Sequence, residues 1–475
     1  MRSPYAAASL LVMLGCGAAA DDPYQPVLCG GGADPCVDVR FVAHEDDDLL
    51  FMNPDLAASL AAGNRVVTVF VTAGTATDPA RLTMRELGML NAYAFMAAPD
   101  DAVAAPGDEA AMLVHWRLHD GQPIGVDLGG GLTRYAIQYD HISPLPSGGL
   151  LSLVFLRVVE MNGVDLGTLL RGEVAQVPTV PCAAGCVLGS DLASQSYDRD
   201  QLVDMLEALI ERFDDRSVPG GLAVSTLDAT QLYHREVGYG LGWIDHADHL
   251  ATAALAVASF VRHHRRPHAT PQTLYQYRAY NIGRERANLG AETRGKRQVF
   301  YRYFALGEPL DGLTETGAPI EYTNRDPDDP HFTLDTYEAW TERRYVLSSL
   351  PPAQGRLAVG DPPRCLRASD GAAELGPCDE APAWDSTGDE LRPSSDGATC
   401  LVLDGDTARV APCLPLDDAE RRTFVLTSTG QIRTRGGGCL QADASGVTSA
   451  ACDKRVDKHG DPIGRPVPAQ SWSWR

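Results

Sequence analysis

Val37-Asp-Val-Arg-Phe-Val-Ala-His-Glu-Asp-Asp-Asp-Leu-Leu-Phe-Met52 is the stretch on which the reading of this chain turns. Val37, Val39, Phe41 and Ala43 alternate with Asp38 and Arg40, the period of a strand. That strand runs directly into His44, Glu45, Asp46, Asp47 and Asp48. Adjacent carboxylates repel one another and resist desolvation, so a folded chain keeps them at a strand end mainly when a cation sits among them. Leu49 to Leu60 then reads as the start of a helix.

Outward from this stretch, Arg65 to Thr72 is a nearly continuous apolar run ending in Ala73-Gly74, as expected of a strand buried on both faces. Arg81 to Ala98 is predicted helical, and residues 100–150, with Gly129-Gly130-Gly131, are predicted irregular. Leu151 to Arg157 reads as a strand that turns at Asn162-Gly163. Leu202, Met205, Leu206, Leu209 and Ile210 recur at helical spacing before an apolar strand, Gly221 to Thr226. This alternation predicts an α/β fold, a Rossmann-like, mainly parallel sheet with helices on both faces. Ligands of such sheets bind at the carboxyl ends of the strands, where the acidic cluster lies.

The second chemical stretch is Asp245-His246-Ala247-Asp248-His249, which opens an apolar helix from Leu250 to Val261. His246 and His249 are three residues apart and so share a helix face. Either stretch alone is a weak signal, since acidic loops are usually solvated and helical His pairs usually cap or pack. Together, His44, Asp47 and His249 offer two imidazoles and a carboxylate with open positions, the donor set of a catalytic Zn or Fe(II) site.

At these residues the chain resembles the PIG-L-type, LmbE-like zinc-dependent de-N-acetylases of N-acetylglucosaminyl compounds. The resemblance spans about residues 37–270, with weaker support to about 347. Ala43-His44-Glu45-Asp46-Asp47-Asp48 is similar to the family's Ala-His-Pro-Asp-Asp-Glu, and His246-Ala247-Asp248-His249 to its His-Pro-Asp-His; Val71-Thr72-Ala73-Gly74 and Arg85-Glu86 also look like family features. The resemblance implies His44, Asp47 and His249 as metal ligands, zinc as the ion and Asp46 as general base. It implies His246 as the histidine that stabilises the oxyanion or protonates the leaving amine, with Asp248 orienting it. Glu45 stands where the family has Pro and Asp48 where it has Glu, and neither replaces a ligand. Arg85 could hold a substrate group or be an ordinary helix-surface arginine.

The chain's 475 residues suffice for two domains. Its formal net charge of -23 argues against nucleic acid or an anionic membrane surface as the main partner. The expected partner is an amino-sugar or glycan substrate. Residues 1–16 read as an export signal, with Tyr5 to Leu14 as its apolar core. Met13-Leu14-Gly15-Cys16 resembles a lipobox, which would make Cys16 a lipid anchor at the cell envelope and the sole membrane attachment; a plain secretory signal cut nearby is the other reading. Residues 17–36 read as a flexible stalk.

Of the 11 cysteines, Cys16 is the odd one, leaving ten to pair in an oxidising compartment. Cys29 with Cys36 and Cys182 with Cys186 could close small loops. After the α/β region (37–347) and a Pro-rich linker (348–363), the period changes. Cys365-Leu366, Cys400-Leu401 and Cys439-Leu440 each precede a second cysteine by thirteen residues, Cys378, Cys413 and Cys452. Threefold self-similarity of this kind is a repeat architecture, and pairing within each repeat is expected of a small exported β domain. Residues 364–475 resemble a ricin B-type lectin domain, an all-β trefoil. Its closing Gln-x-Trp survives at Gln470-Ser471-Trp472, while Pro382-Ala383-Trp384 and Arg422-Thr423-Phe424 keep the aromatic position alone. Arg367, Val402 and Gln441 stand where sugar-binding members carry Asp, which leaves a carbohydrate ligand of the trefoil open.

The sequence thus predicts an exported metal-dependent enzyme that hydrolyses the N-acetyl or N-acyl amide of an amino sugar. Two rivals remain: a catalytically silent glycan-binding surface lipoprotein, and hydrolysis of another amide by the same site.

Overall fold

The computed structural model describes Pro26, Ile282 and residues 34–74, 78–97, 108–145, 148–160, 164–170, 172–182, 185–228, 246–264, 272–280, 287–307, 340–349, 354–360, 362–369, 371–386, 391–394, 398–413, 424–426, 431–434, 438–443, 446–451 and 468–474. Cys16, Cys29, Asn162-Gly163, Asp245 and Cys452 lie outside the described residues. Among the described residues, no helix is long and apolar enough to cross a membrane.

The strands of the α/β region are β1 (Val37–Val42), β2 (Arg65–Thr72), β3 (Trp116–Leu118), β4 (Ile124–Asp127), β5 (Thr133–His141), β6 (Leu151–Val158), β7 (Val177–Pro178), β8 (Ser196–Tyr197), β9 (Leu222–Leu227), β10 (Gln272–Tyr277) and β11 (Val346–Ser349). Its helices are α1 (Asp55–Ala61), α2 (Pro79–Ala97), α3 (Glu109–Leu113), α4 (Leu166–Leu170), α5 (Arg199–Phe213), α6 (Ala247–His264) and α7 (Glu292–Gly307). One sheet runs β11-β10-β9-β1-β2-β6-β5-β3, with β4 paired to β5. The pairings from β10 through β9, β1 and β2 to β6 are parallel, and those of β11, β5, β4 and β3 are antiparallel. The sheet is therefore mixed, with β1 at the middle of its parallel part.

Alternate residues of the central strands enter two separate cores. Val37, Val39, Phe41, Val67 and Val69 pack with α5 and α6 through Leu206, Leu209, Leu255 and Phe260. Val42, Val66 and Phe70 pack on the other face with Leu56, Leu90, Tyr93, Tyr303 and Phe304 of α1, α2 and α7. Helices do cover both faces, so Asp38 and Arg40 have no water to turn to. They bond each other instead, Arg40 Nε donating to Asp38 Oδ2 at 3.2 Å, both side chains buried.

The helix expected from Leu49 to Leu60 is broken. A π-helical turn, Asp48–Met52, precedes α1, and Asn53 between them is extended (φ -76°, ψ 144°). Pro54 explains the break, because it lacks an N–H and disfavours helical geometry in the residue before it. The region 100–150 is not irregular where described. It supplies α3 and the antiparallel strands β3, β4 and β5, and Gly129, Gly130 and Gly131, all at positive φ (89°, 60° and 81°), form the turn joining β4 to β5. The α5 helix opens on a capping box formed by Asp198 and Gln201.

In the C-terminal region every described strand pairing is antiparallel. Arg364–Ser369 pairs with Ala372–Gly376, Thr399–Asp404 with Thr407–Pro412, and Gly438–Asp443 with Gly446–Ala451, one hairpin opening on each Cys-Leu. Leu366, Leu401, Leu440, Trp384, Phe424 and Trp472 meet in a single core. Trp384 Nε1 donates to the Leu366 carbonyl and Trp472 Nε1 to that of Leu440, each at 2.9 Å, so two repeats tie their closing aromatic in the same way. Disulfides join Cys365 to Cys378, Cys400 to Cys413 and Cys182 to Cys186. Cys36 and Cys439 are also disulfide-bonded. Within residues 348–363, Ser348 and Ser349 belong to β11, and Leu357–Val359 pairs with Arg364–Ser369 and Trp472–Trp474.

Candidate active site

The site forms where β1, β2 and β6 end together. Thr72 at the end of β2 fixes the first turn beyond β1, its backbone N–H and its hydroxyl both donating to the Ala43 carbonyl, at 2.9 and 2.8 Å. The backbone then curls so that His44 N–H donates to Asp47 Oδ2 at 2.8 Å. This leaves Asp47 Oδ1 directed at two rings, 3.0 Å from His249 Nε2 and 3.6 Å from His44 Nδ1. His249, in the first turn of α6, is fully buried, and its ring lies against Tyr280 and Phe51, with centroids 4.8 and 6.0 Å away.

Whether these groups fit a metal can be judged from their donor atoms. His44 Nδ1 and His249 Nε2 are 3.0 Å apart. A tetrahedral ion with ligands at about 2.0–2.1 Å sets its donors roughly 3.3 Å from one another. The three separations, 3.0, 3.0 and 3.6 Å, bracket that spacing. His44, Asp47 and His249 therefore fit a zinc-sized ion. Their electrostatics agree: burial disfavours a charged His44, yet Glu160 and Asp47 hold its pKa well above the ordinary value, so positive charge is favoured there.

The carboxylates of the motif do not all face the histidines. Glu45 is buried and receives Arg85 Nε at 2.9 Å, and burial pushes its carboxyl up to about 7. Asp48 accepts from the Tyr93 hydroxyl, and burial pushes it too up to about 7. Two of the four acidic groups are thus relieved by protein partners or by protonation. Asp46 is the most exposed of them, its side chain 17% accessible, with Arg85 Nη2 3.5 Å from Oδ1. Burial raises its pKa against the opposing pull of Arg85. Arg85 is itself buried, its Nη1 donating to the Gly74 carbonyl at 3.2 Å. A Cβ on Gly74, whose φ is +55°, would lie 2.4 Å from this guanidinium, so glycine is required there.

His246 precedes α6 and is half-exposed. Its Nδ1 accepts from the Asp248 backbone N–H at 3.2 Å, which assigns the ring proton to Nε2. Burial, with the neighbouring His44 and His249, lowers its pKa to about 3, so the ring is neutral at pH 7. The contact that orients His246 thus comes from Asp248's backbone; the nearest approach of its carboxylate, Oδ2 to Nδ1, is 3.9 Å. Asp248 is fully buried, its Oδ1 accepting from Gly167 N–H at 3.3 Å.

The sequence reading missed Glu160. Its Oε1 lies 3.3 Å from His44 Nε2 and 3.5 Å from His246 Nε2, and against the upward push of burial these rings draw its pKa down to about 2. Glu160 follows β6 by two residues, past Arg157 at φ 60°, where the β2–β6 register shifts. An acidic residue just beyond a buried strand was the available signal, since carboxyl ends of parallel strands carry the site.

No family model and no curated protein matches this chain. Among solved structures, it is similar to the zinc inhibited form of teicoplanin deacetylase Orf2, at 16% identity and a TM-score of 0.25, covering 57% of this chain and 84% of that one. It is also similar to a deacetylase-teicoplanin complex from the teicoplanin biosynthesis pathway, at 17% identity and a TM-score of 0.24, covering 57% and 87%. Likeness at this level assigns neither fold nor reaction.

Proposed function

We propose that this protein is an exported, metal-dependent hydrolase that removes the acetyl or another acyl group from the amide of an amino sugar. The observation that carries this reading is the convergence of His44 Nδ1, Asp47 Oδ1 and His249 Nε2 at ion-binding separations, with Asp46 beside them and outside the donor set. The resemblance of the two motifs to PIG-L-type de-N-acetylases supplies the choice of bond and favours zinc, although the donor set accepts Fe(II) as well. Disulfide bonding supports export, since such bonds persist in oxidising compartments.

When bound, the ion supplies Lewis acidity, acidifying the attacking water and polarising the acyl carbonyl. Asp46 accepts the water's proton, its carboxyl already poised upward by burial. The neutral His246 donates from Nε2 to the oxygen on which charge develops, and its neutrality makes it a hydrogen-bond donor there in place of a standing cation. The proton that Asp46 takes from the water is the one the leaving amine must receive as the C–N bond breaks. Arg85 is engaged by Glu45, Gly74 and Asp46, so it tunes the base and reaches a substrate group only by giving up a contact. In this reading the C-terminal hairpins form a ricin B-type trefoil that holds the enzyme near a glycan, and Cys16 anchors it to the cell envelope.

The test is metal content by mass spectrometry of protein lacking residues 1–16, beside His249→Ala. The expected result is about one zinc or iron ion per chain, lost in the variant, with acetate released from acetylated amino sugars by the wild type alone. No ion in either protein after reconstitution would undercut the enzyme and leave the glycan-binding lipoprotein.

A further inference from the structure

Strand β6 reaches the site through a bulge. Phe70 of β2 is in register with Phe155 and Thr72 with Val158, so Val71 alone stands opposite both Leu156 and Arg157. Arg157 sits in the bulge at φ 60°, a conformation that residues with a Cβ rarely adopt. Its side chain holds it there: Nε and Nη2 donate to Glu86 Oε1 and Oε2 at 2.7 and 2.8 Å, and Nη1 to the Ser190 carbonyl at 3.0 Å, with Arg157 and Glu86 both buried. The chain beyond is pinned from two sides, Ala73 N–H donating to the Val158 carbonyl at 2.8 Å and Val159 N–H to that of Pro178 at 2.9 Å. A strained bulge at a strand end re-aims the side chains that follow it, and strain of this kind persists where a site needs it. The side chain aimed here is that of Glu160.

Glu160 is buried, and its Oε1 faces His44 Nε2 at 3.3 Å, whereas the Asp248 carboxylate stays 4.0 Å from that nitrogen. A carboxylate only accepts, so the proton of this contact is on His44 Nε2. With Nε2 keeping its proton, Nδ1 is the nitrogen that can offer a lone pair, and Nδ1 is the one directed at Asp47 and His249. The same Glu160 oxygen is 3.5 Å from His246 Nε2, too far to engage that proton firmly. Resting on the reading of the metal centre, we propose that Glu160 is a positioning residue for it, fixing the orientation and tautomer of His44 and so raising the affinity for the ion. It acts through His44, as a hydrogen-bond acceptor at a set reach. Gln keeps that length and an acceptor oxygen; Asp keeps the charge and draws back by one methylene.

The experiment measures zinc affinity by chelator competition on metal-stripped protein lacking residues 1–16, for the wild type, Glu160→Ala, Glu160→Gln and Glu160→Asp. The thermal transition of each metal-free protein is recorded beside it. Glu160→Ala is expected to lose about 10–100-fold in affinity, Glu160→Gln to recover most of that loss and Glu160→Asp little of it. Unchanged affinity in Glu160→Ala would overturn the proposal, as would affinities that merely follow the metal-free transitions. An Asp variant that binds zinc better than the Gln variant would also overturn it, by showing that charge acts in place of the directed hydrogen bond. Where Glu160→Ala does not fold, the order of Gln and Asp decides. A wild type that binds no zinc would overturn the proposed function itself.

Discussion

Asp46 and Asp47 are chemically the same residue placed one position apart, and the backbone gives them different work. Asp47 is buried with one oxygen on the His44 N–H and the other between two imidazoles, and those rings hold its pKa far below the ordinary value against the cost of burial. Asp46 is partly buried beside Arg85, and burial raises its pKa. One is therefore a fixed anion suited to hold an ion, the other a carboxylate that can take up a proton. Asp46→Ala should keep the metal content of the wild type and lose about 10²–10⁴ in turnover, the range of a positioned general base. Metal analysis and acetate release on the same preparation check this; an active, metal-loaded variant removes Asp46 from the role. The donor residues were legible because a strand ending in charge is an anomaly that the local pattern exposes. The splitting of the cluster was not, since Arg85 and Tyr93, which relieve Glu45 and Asp48, lie far along the chain.

Among elements, the parallel strands could be read and the antiparallel edge could not, for one physical reason. β1, β2, β6 and β9 are buried on both faces; Val, Leu and Phe predominate in β2, β6 and β9, and β1 alternates apolar residues with Asp38 and Arg40. β4 alternates buried and exposed residues and β5 is buried only over 136–139, so polar residues interrupt them and the glycines of their turn look like a loop. Their surroundings also hold a polar cluster that no motif announced. Asp140 of β5 accepts from His119 Nδ1 at 2.6 Å, Gln138 Nε2 at 2.7 Å and Ser152 Oγ at 2.8 Å. Burial pushes the Asp140 carboxyl up, but these hydrogen bonds outweigh it and the net shift is downward. A lowered acid pKa means the unfolded chain binds more protons, so the contribution to stability is complete above the unfolded carboxylate value near 4 and fades as pH falls through the folded one. Asp140→Asn should cost about 1–3 kcal/mol at pH 7, and the difference from wild type should shrink below about pH 4. Urea unfolding at pH 7, 5 and 3 measures it, and a difference that stays constant with pH would assign the effect to packing.

Over the whole molecule, the two regions are stabilised by different means. The α/β region buries both faces of its sheet in two cores that include long helices. Among the described residues the main core of the C-terminal region is built from short strands around Trp384, Phe424 and Trp472, and the region is stapled by disulfides within its repeats. A small core of this kind rarely suffices alone, and cross-links supplement it by restricting the unfolded chain. The cysteine period made this region legible, since repeat and cross-link coincide at Cys365, Cys400 and Cys439. Its joining to the first region was harder to read, because Ser348 and Ser349, which look like linker, extend the large sheet as part of β11. Replacing Cys400 and Cys413 together by Ser opens a loop of sequence separation 13 and should cost about 3 kcal/mol. In a region of this size that lowers its thermal transition by more than about 10 °C. Scanning calorimetry should show the lower transition moving alone, while metal content and hydrolysis at 25 °C persist, because His44, Asp47 and His249 all belong to the α/β region. A single transition that falls as one, taking the bound metal with it, would instead mean that the β region is needed to hold the metal centre together.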